Sequence, residues 1–395
     1  MTKLEELIEK LCPDGVEYKE LSEVLTIKNG KDYKQFGEGD VPVYGSGGIM
    51  TYIDTAVYEK PSVLIPRKGS LDKLYFVQEP FWTVDTIFYT DINVDIVEPK
   101  YIFYYLQKEH LEKLNKAGGV PSLTQSVLNK VKLPVPPLEV QREIVRILDN
   151  FTFLTTELAA ELAARQKQYE YYRDLLLTFK PNESTILNER TNELELSGTI
   201  RWMKLGDIAD IGTGNGNTNE GLDTGKYPFF VRSQEIKYKN EYDFDETAII
   251  TSGDGVGVGK IFHFVSGKYA LHQRAYRVHI TSDNVLPKYF FYYFKNSFLA
   301  YISKASFHSS VTSIRRPMMI NFPVPVPPLE QQKRIVDILD RFDTLCNDIS
   351  SGLPAEIEAR QKQYGYYRDK LLSFKELKKQ SGNMSRPNLE KDLED

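Results

Sequence analysis

Three features of the chain use residue types that could do chemistry, and in each the spacing argues against it. The glycine run GDGVGVGK, Gly253–Lys260, hints at a phosphate-cradling loop. Asp254 stands where the first glycine should be and Ile261 replaces the Ser or Thr hydroxyl, and the run does not fit GxGxxG either. A tight β-turn accounts for it better. The stretch PDGVEYK sets Asp14, Glu17 and Lys19 in the order of a nuclease metal site, but two acids so placed in a turn cannot easily share an ion. The histidines His110, His263, His272, His279 and His308 show neither HExxH nor Cys/His zinc spacing. No methyltransferase-like glycine motif or acidic-Pro-Pro-aromatic tetrapeptide is visible, so no catalytic residue and no metal site is expected.

What remains is a set of basic and polar residues in glycine-bearing loops. In the first half these are Lys28, Asn29, Lys31, Lys34, Tyr44, Ser46, Arg67, Lys68, Ser70 and Lys73. In the second half they are Asn215, Asn217, Arg232, Ser233, Gln234, Lys260, His272, Gln273, Arg274, Arg315 and Arg316. Arg and Lys can address guanine edges or phosphates, Asn and Gln the adenine edge, and glycine lets a backbone come close. Any one of them could equally be an ordinary polar loop residue. Residues 199–319 hold 15 Lys and Arg against 11 Asp and Glu, a positive balance inside a chain of net charge −5. A binding face can be basic while rods and tails are acidic.

The elements that must position these loops come from a repeat. Residues 131–179 read VKLPVPPLEVQREIVRILDNF and onward, and residues 321–374 return as NFPVPVPPLEQQKRIVDILDRF. ARQKQY recurs at Ala359 after Ala164. In the first copy Ile144, Leu148, Phe151, Thr155, Leu158, Leu162, Arg165, Tyr169, Tyr172, Leu176 and Phe179 alternate by four and three, a heptad seam. The second keeps Ile335, Leu339, Phe342, Cys346 and Ile349, then Ile357, Arg360, Tyr364, Tyr367, Leu371 and Phe374. Two long helices in one chain are the natural partners for each other's stripes, as an intramolecular antiparallel coiled coil. About forty residues make a rod of roughly 60 Å. Pro134, Pro136 and Pro137 precede the first helix, and Pro323, Pro325, Pro327 and Pro328 the second, suggesting a short stiff strut at each joint.

Around the rods, short β-rich runs at Val41–Tyr44, Val63–Pro66, Leu74–Val77 and Thr86–Tyr89, with a helix over Pro99–Lys113, predict an α+β domain. PKYIFYYL at Pro99 returns as PKYFFYYF at Pro287, and Ser122–Thr124 as Ser310–Thr312. The expected plan is α+β and duplicated. Residues 1–137 form a first domain with an N-terminal helix, 138–180 a long helix, and 181–198 a linker. Residues 199–328 form a second domain, 329–376 a second long helix, and 377–395 a polar tail. No apolar run is long enough to span a membrane, the N-terminus lacks a secretory core, and two cysteines suit a reducing cytoplasm.

Taken together, the chain resembles the specificity (S, HsdS) subunit of type I restriction-modification systems. The resemblance rests on PVPPLExQ at Pro134–Gln141 and Pro325–Gln332, and on the ARQKQYxYYRDxLLxF endings. LCPDGVEYKEL at Leu11–Leu21, IPRKGS at Ile65–Ser70 and HQRAY at His272–Tyr276 add to it. It implies two target recognition domains, each reading one half of a split, asymmetric site in double-stranded DNA, with the helix pair as a ruler for the gap. It implies two methyltransferase subunits docked around the helices and two restriction subunits beyond them. S-adenosylmethionine, ATP and Mg would belong to those partners, leaving this chain no cofactor and no catalysis. Gln141, Gln166, Tyr169, Tyr172, Gln332, Gln361, Tyr364 and Tyr367 mark the spacer helices and their partner-binding surface. The alternative is a coiled-coil adaptor with two ligand-binding heads and no DNA. One departure is expected to matter: four extra residues near Ser350–Pro354, with Gly352 and Pro354, should interrupt the second helix.

Overall fold

The structure, a computed structural model, describes residues 2–115, 122–179, 186–187, 194–195, 200–305, 313–348 and 350–377. His308, Ile349, the echo at Ser310–Thr312, most of the linker and nearly all of the tail lie outside them. Within the linker, Ile186–Leu187 pairs antiparallel with Leu194–Glu195. The chain divides into two compact units, residues 1–157 with 357–395, and residues 158–356. Each therefore takes one α+β domain, half of the helix Leu138–Leu177 and part of the second repeat copy.

In the first unit, one sheet has the order Leu25–Asn29, Ile87–Ile92, Ser62–Pro66, Tyr75–Val77. A smaller sheet runs Gly48–Ile53, Val41–Gly45, Trp82–Thr83. The strand Ser62–Pro66 is buried along its whole length. Because side chains alternate across a sheet, Val63 and Ile65 join the core beneath the helices, whereas Leu64 joins the aromatic cluster of Phe81 and Tyr89. The second unit repeats this in a six-stranded sheet. There Ile249 faces the helix-side core, while Ala248 and Ile250 face the cluster around Phe230 and Tyr269.

Inside each unit two helical stretches run antiparallel. In the first, Phe151 stacks on Tyr367 with centroids 5.4 Å apart, and Ile144 and Leu148 share a core with Leu372. In the second, Tyr169 and Tyr172 pack on Phe342, and Leu176 shares a core with Ile335 and Leu339. The first repeat copy is one unbroken helix of 40 residues. The second is two, Leu329–Asn347 and Leu353–Leu371. In the break, Asp348 accepts from the backbone and hydroxyl of Ser350 and from the Ser351 hydroxyl. Gly352 donates to the Asp348 carbonyl, and a Cβ there would lie 2.4 Å from the Thr344 carbonyl oxygen, so only glycine fits.

The proline struts are more than stiff segments. Lys132–Val135 pairs antiparallel with Glu17–Glu20, and Pro323–Val326 with Arg201–Lys204. Proline tolerates such two-stranded edges because its missing donor can face outward. The tyrosines of the repeated aromatic helix bind these ribbons: Tyr101 donates to Pro134 and Tyr105 to Lys132, as Tyr289 does to Pro325 and Tyr293 to Pro323. The helix Pro99–Lys108 is shorter than its apolar pattern predicts, because His110 adopts a left-handed φ of 50° and a short 3-10 turn, Leu111–Leu114, follows.

Candidate nucleic-acid interface

In both units the candidate loops are tied together by one pattern of main-chain bonds. In the first, Tyr44 and Thr83 pair in parallel, Val84 N–H donates to Tyr44, and Lys31 N–H to Thr83. Arg67 N–H then donates to Thr86, Ile87 N–H to Val84 and Leu123 N–H to Arg67, while Lys68 bridges Ser122. In the second, Phe230 and Leu271 pair in parallel, His272 N–H donates to Phe230, and Gly216 N–H to Leu271. Gly253 N–H donates to Arg274, Ala275 N–H to His272 and Ile314 N–H to Gly253, while Asp254 bridges Ser313. The apex glycines Gly69 and Gly255 both have a φ of +82°, which a Cβ would resist. The bonds alone therefore align Ser46 with Arg232, Lys68 with Asp254, Ser70 with Val256, Val84 with His272, and Thr86 with Arg274.

The side chains on this shared cradle differ in kind. In the first unit Ser46 N–H donates to the Thr86 hydroxyl, Lys68 lies 3.8 Å from Asp85, and Arg67 lies over the Phe88 ring. Ser70 is half-buried, and its carbonyl accepts from Lys73 N–H. Lys31, Lys34 and Lys73 are exposed. In the second unit Asp254 receives Arg232 at 2.7 Å and Arg274 at 3.1 Å. Burial works against its charge, but the two guanidiniums hold its carboxyl below the usual range. Two cations on one anion leave the apex positive. Beside it Gln273 donates to Asn217, forming an amide pair, with Asn215, Gln234, Lys260, Arg315 and Arg316 exposed nearby in sequence or fold.

Several expected contact residues already have partners within the chain. Lys28 sits on a strand, bound to Asp91 at 2.7 Å, and Tyr58 donates to the same carboxylate. That hydrogen bond raises the Lys28 pKa and lowers that of Asp91. Tyr44 is half-buried between Tyr75 and Phe81. His272 is buried; its Nδ1 accepts from Arg274 N–H, which leaves Nε2 protonated toward the Thr218 hydroxyl. Burial, then the neighbouring Arg232, pushes its pKa down, favouring the neutral ring. The Ser233 carbonyl faces His263 Nε2 at 3.1 Å.

The spacer residues divide the same way. Gln141 is fully buried: its Oε1 accepts from Glu98 N–H, and its Nε2 donates to Ile96 and Pro136. Gln332 is buried identically, between Leu286 N–H and the carbonyls of Asn284 and Pro327. Both lock a joint and present nothing to a partner. Tyr364 donates to Gln107 and packs on Tyr104, while Gln166 and Gln361 are exposed. Sequence reasoning passed over Thr86, Thr218 and Asp254, which organise the loops. The signal available for Asp254 was an acid between two glycines, the composition of a turn that needs a capped carboxylate.

No group of acidic, His or Cys residues that could hold a metal occurs among the described residues, and no described helix is long and apolar enough to cross a membrane. The chain matches the family model of the type I restriction modification DNA specificity domain twice, over residues 13–165 and 199–359. It is 33% identical to a Haemophilus influenzae protein named as a type I restriction enzyme specificity subunit, covering 94% of this chain and 98% of that one. It is 34% identical to the EcoR124I/EcoR124II specificity subunit of Escherichia coli, over 70% of each chain. Its fold is similar to the crystal structure of a type I S subunit from M. genitalium, with a TM-score of 0.61 at 14% identity, covering 91% of this chain and 96% of that one. Two tandem matches, each centred on one α+β domain and reaching the repeated helix beyond it, show that this chain belongs to the type I restriction-modification DNA specificity family, whose members serve as DNA-recognition subunits.

Proposed function

We propose that each loop cluster reads one half of a split, asymmetric duplex site through the major groove, and that the paired helices set the gap between the halves. The observation that carries this is the shared cradle: identical main-chain bonds hold Ser46, Lys68 and Thr86 in one unit and Arg232, Asp254 and Arg274 in the other. A constant frame with exchanged side chains suits two readers of different sequences. The cations address guanine edges or phosphates, and the Asn217–Gln273 pair an adenine edge. Arg67, Lys68, Arg232, Arg274, Arg315 and Arg316 are the residues we assign to that surface, with Lys31, Lys34, Lys73 and Lys260 on phosphates.

Methylation and cleavage then belong to partner subunits, two methyltransferase and two restriction subunits in a cytoplasmic complex. S-adenosylmethionine, ATP and Mg are theirs. The exposed Gln166 and Gln361 lie on the helices those partners would meet. The break at 348–352 interrupts the second copy of the ruler, so the gap should respond to deletion there. An adaptor without DNA binding finds no support in the family match.

The test is duplex binding by the chain assembled with its methyltransferase subunit. Affinity should fall steeply with salt, by a slope reflecting several phosphate contacts, and mapped N6-methyladenines should define a two-part motif with a fixed gap. Salt-insensitive binding, or one continuous motif, would contradict the proposal.

A further inference from the structure

Val256 is the most exposed large apolar side chain among the described residues, at 98%. It sits at the apex of the glycine run that fails as a phosphate loop. The loop beneath it is braced: Val258 N–H donates to Gly255, Lys260 and Ile261 N–H donate to Gly257, and Val258 itself is buried. Gly253 is clamped between Arg274 and Ile314, and Asp254 ties the base to Arg232 and Arg274. One valine of GVGV anchors the loop and the other is held outward. Among the described residues, and apart from its two chain neighbours, no heavy atom lies within 4 Å of a Cβ built at Gly255. Scattered surface apolar residues are ordinary, but this one crowns a hydrogen-bonded turn whose base is flanked by Arg232 and Arg274.

Resting on the DNA-reading role proposed above, we infer that Val256 is a specificity-determining residue that packs against the C5-methyl group of a thymine. Thymine carries the one apolar group on the major-groove edges of the four bases. Arg232, Arg274 and Lys260 would hold the flanking phosphates or guanines while the valine meets that methyl. The first unit lacks the device, because the aligned residue there is the half-buried Ser70.

The test uses the chain assembled with its methyltransferase subunit and a duplex carrying the mapped site. Thymines in the half assigned to the second unit, by exchange of residues 199–319, are replaced one at a time by uracil, which removes only the methyl group. We expect one replacement to lower wild-type affinity about four-fold, the worth of one buried methyl-sized contact. The same replacement should change nothing in the Val256→Ser complex. A half-site without thymine, indifference to every uracil, or sensitivity that persists in Val256→Ser overturns the assignment while leaving DNA reading intact. If Val256→Ser instead weakens assembly with the methyltransferase and spares discrimination, the residue is a protein contact and the inference is wrong. Binding without regard to sequence would remove the DNA-reading role and this inference with it.

Discussion

The two units share their joints and differ in their loops, and the boundary between the two regimes is sharp. At the joint the agreement extends to single atoms. A buried glutamine makes the same three hydrogen bonds, Tyr101, Tyr104 and Tyr105 use the same kinds of acceptor as Tyr289, Tyr292 and Tyr293, and Lys100–Asp149 has its counterpart in Lys288–Asp340. At the apex the backbone agreement survives while the residue at the aligned position changes sign, Lys68 near Asp85 in one unit and Asp254 between two arginines in the other. The lesson is physical. Main-chain bonds do not depend on side-chain identity, so a cradle built from them can carry any reading surface. A joint built from side chains can carry only one.

The largest expected effect tests the shared half of that comparison. Gln141→Ala strands a buried N–H and two carbonyls, each costing about 1–3 kcal/mol when unsatisfied. Denaturant unfolding should show a loss of about 3–5 kcal/mol, and Gln332→Ala should match it in its own unit. A large loss in one and little in the other would break the equivalence of the joints.

Next come the apex charges. Asp254→Asn frees Arg232 and Arg274 from their fixed geometry. It should lower discrimination at one half-site by about 1–3 kcal/mol, the worth of a well-placed bidentate base contact, while raising affinity for unrelated duplexes. Lys68→Ala should affect only the other half. Binding titrations against duplexes altered in one half at a time check both.

The smallest effect is a pH response confined to one unit. His272 has a folded pKa held below its unfolded value by burial, whereas the aligned residue in the first unit is Val84. A group whose folded pKa is depressed contributes its stabilisation fully above the unfolded value, about 6.5, and loses it as pH falls from there through the folded value. Amide exchange at Gly253 and Arg274, corrected for intrinsic rate, should therefore quicken as pH falls below about 6.5. Exchange at Arg67 and Thr86 should not. Equal quickening in both would show that His272 is not the cause.

Much of the architecture was legible in the sequence, and the reason is repetition. PVPPLExQ and the KYxFYY helix recur because both copies satisfy one set of joint bonds, and the heptad seam marks the buried faces of Ile144, Leu148, Ile335 and Leu339. The helix break near Gly352 was readable because no residue with a Cβ fits there. The loops were not legible. Nothing in spacing shows that Lys28 is spent on Asp91, that His272 faces inward, or that Ser46, Arg67 and Thr86 meet. Those contacts arise from pairing between strands far apart in the chain, and the residues that make them are the ones free to differ between the units.

The central claim is that the two cradles read independently. Its most direct test is methylation mapping in cells that express the chain with its methyltransferase partner, before and after residues 14–131 are replaced by the matching segment of a relative. The account predicts a two-part adenine motif in which only one half changes and the gap is kept. A change in both halves, or in neither, would contradict it.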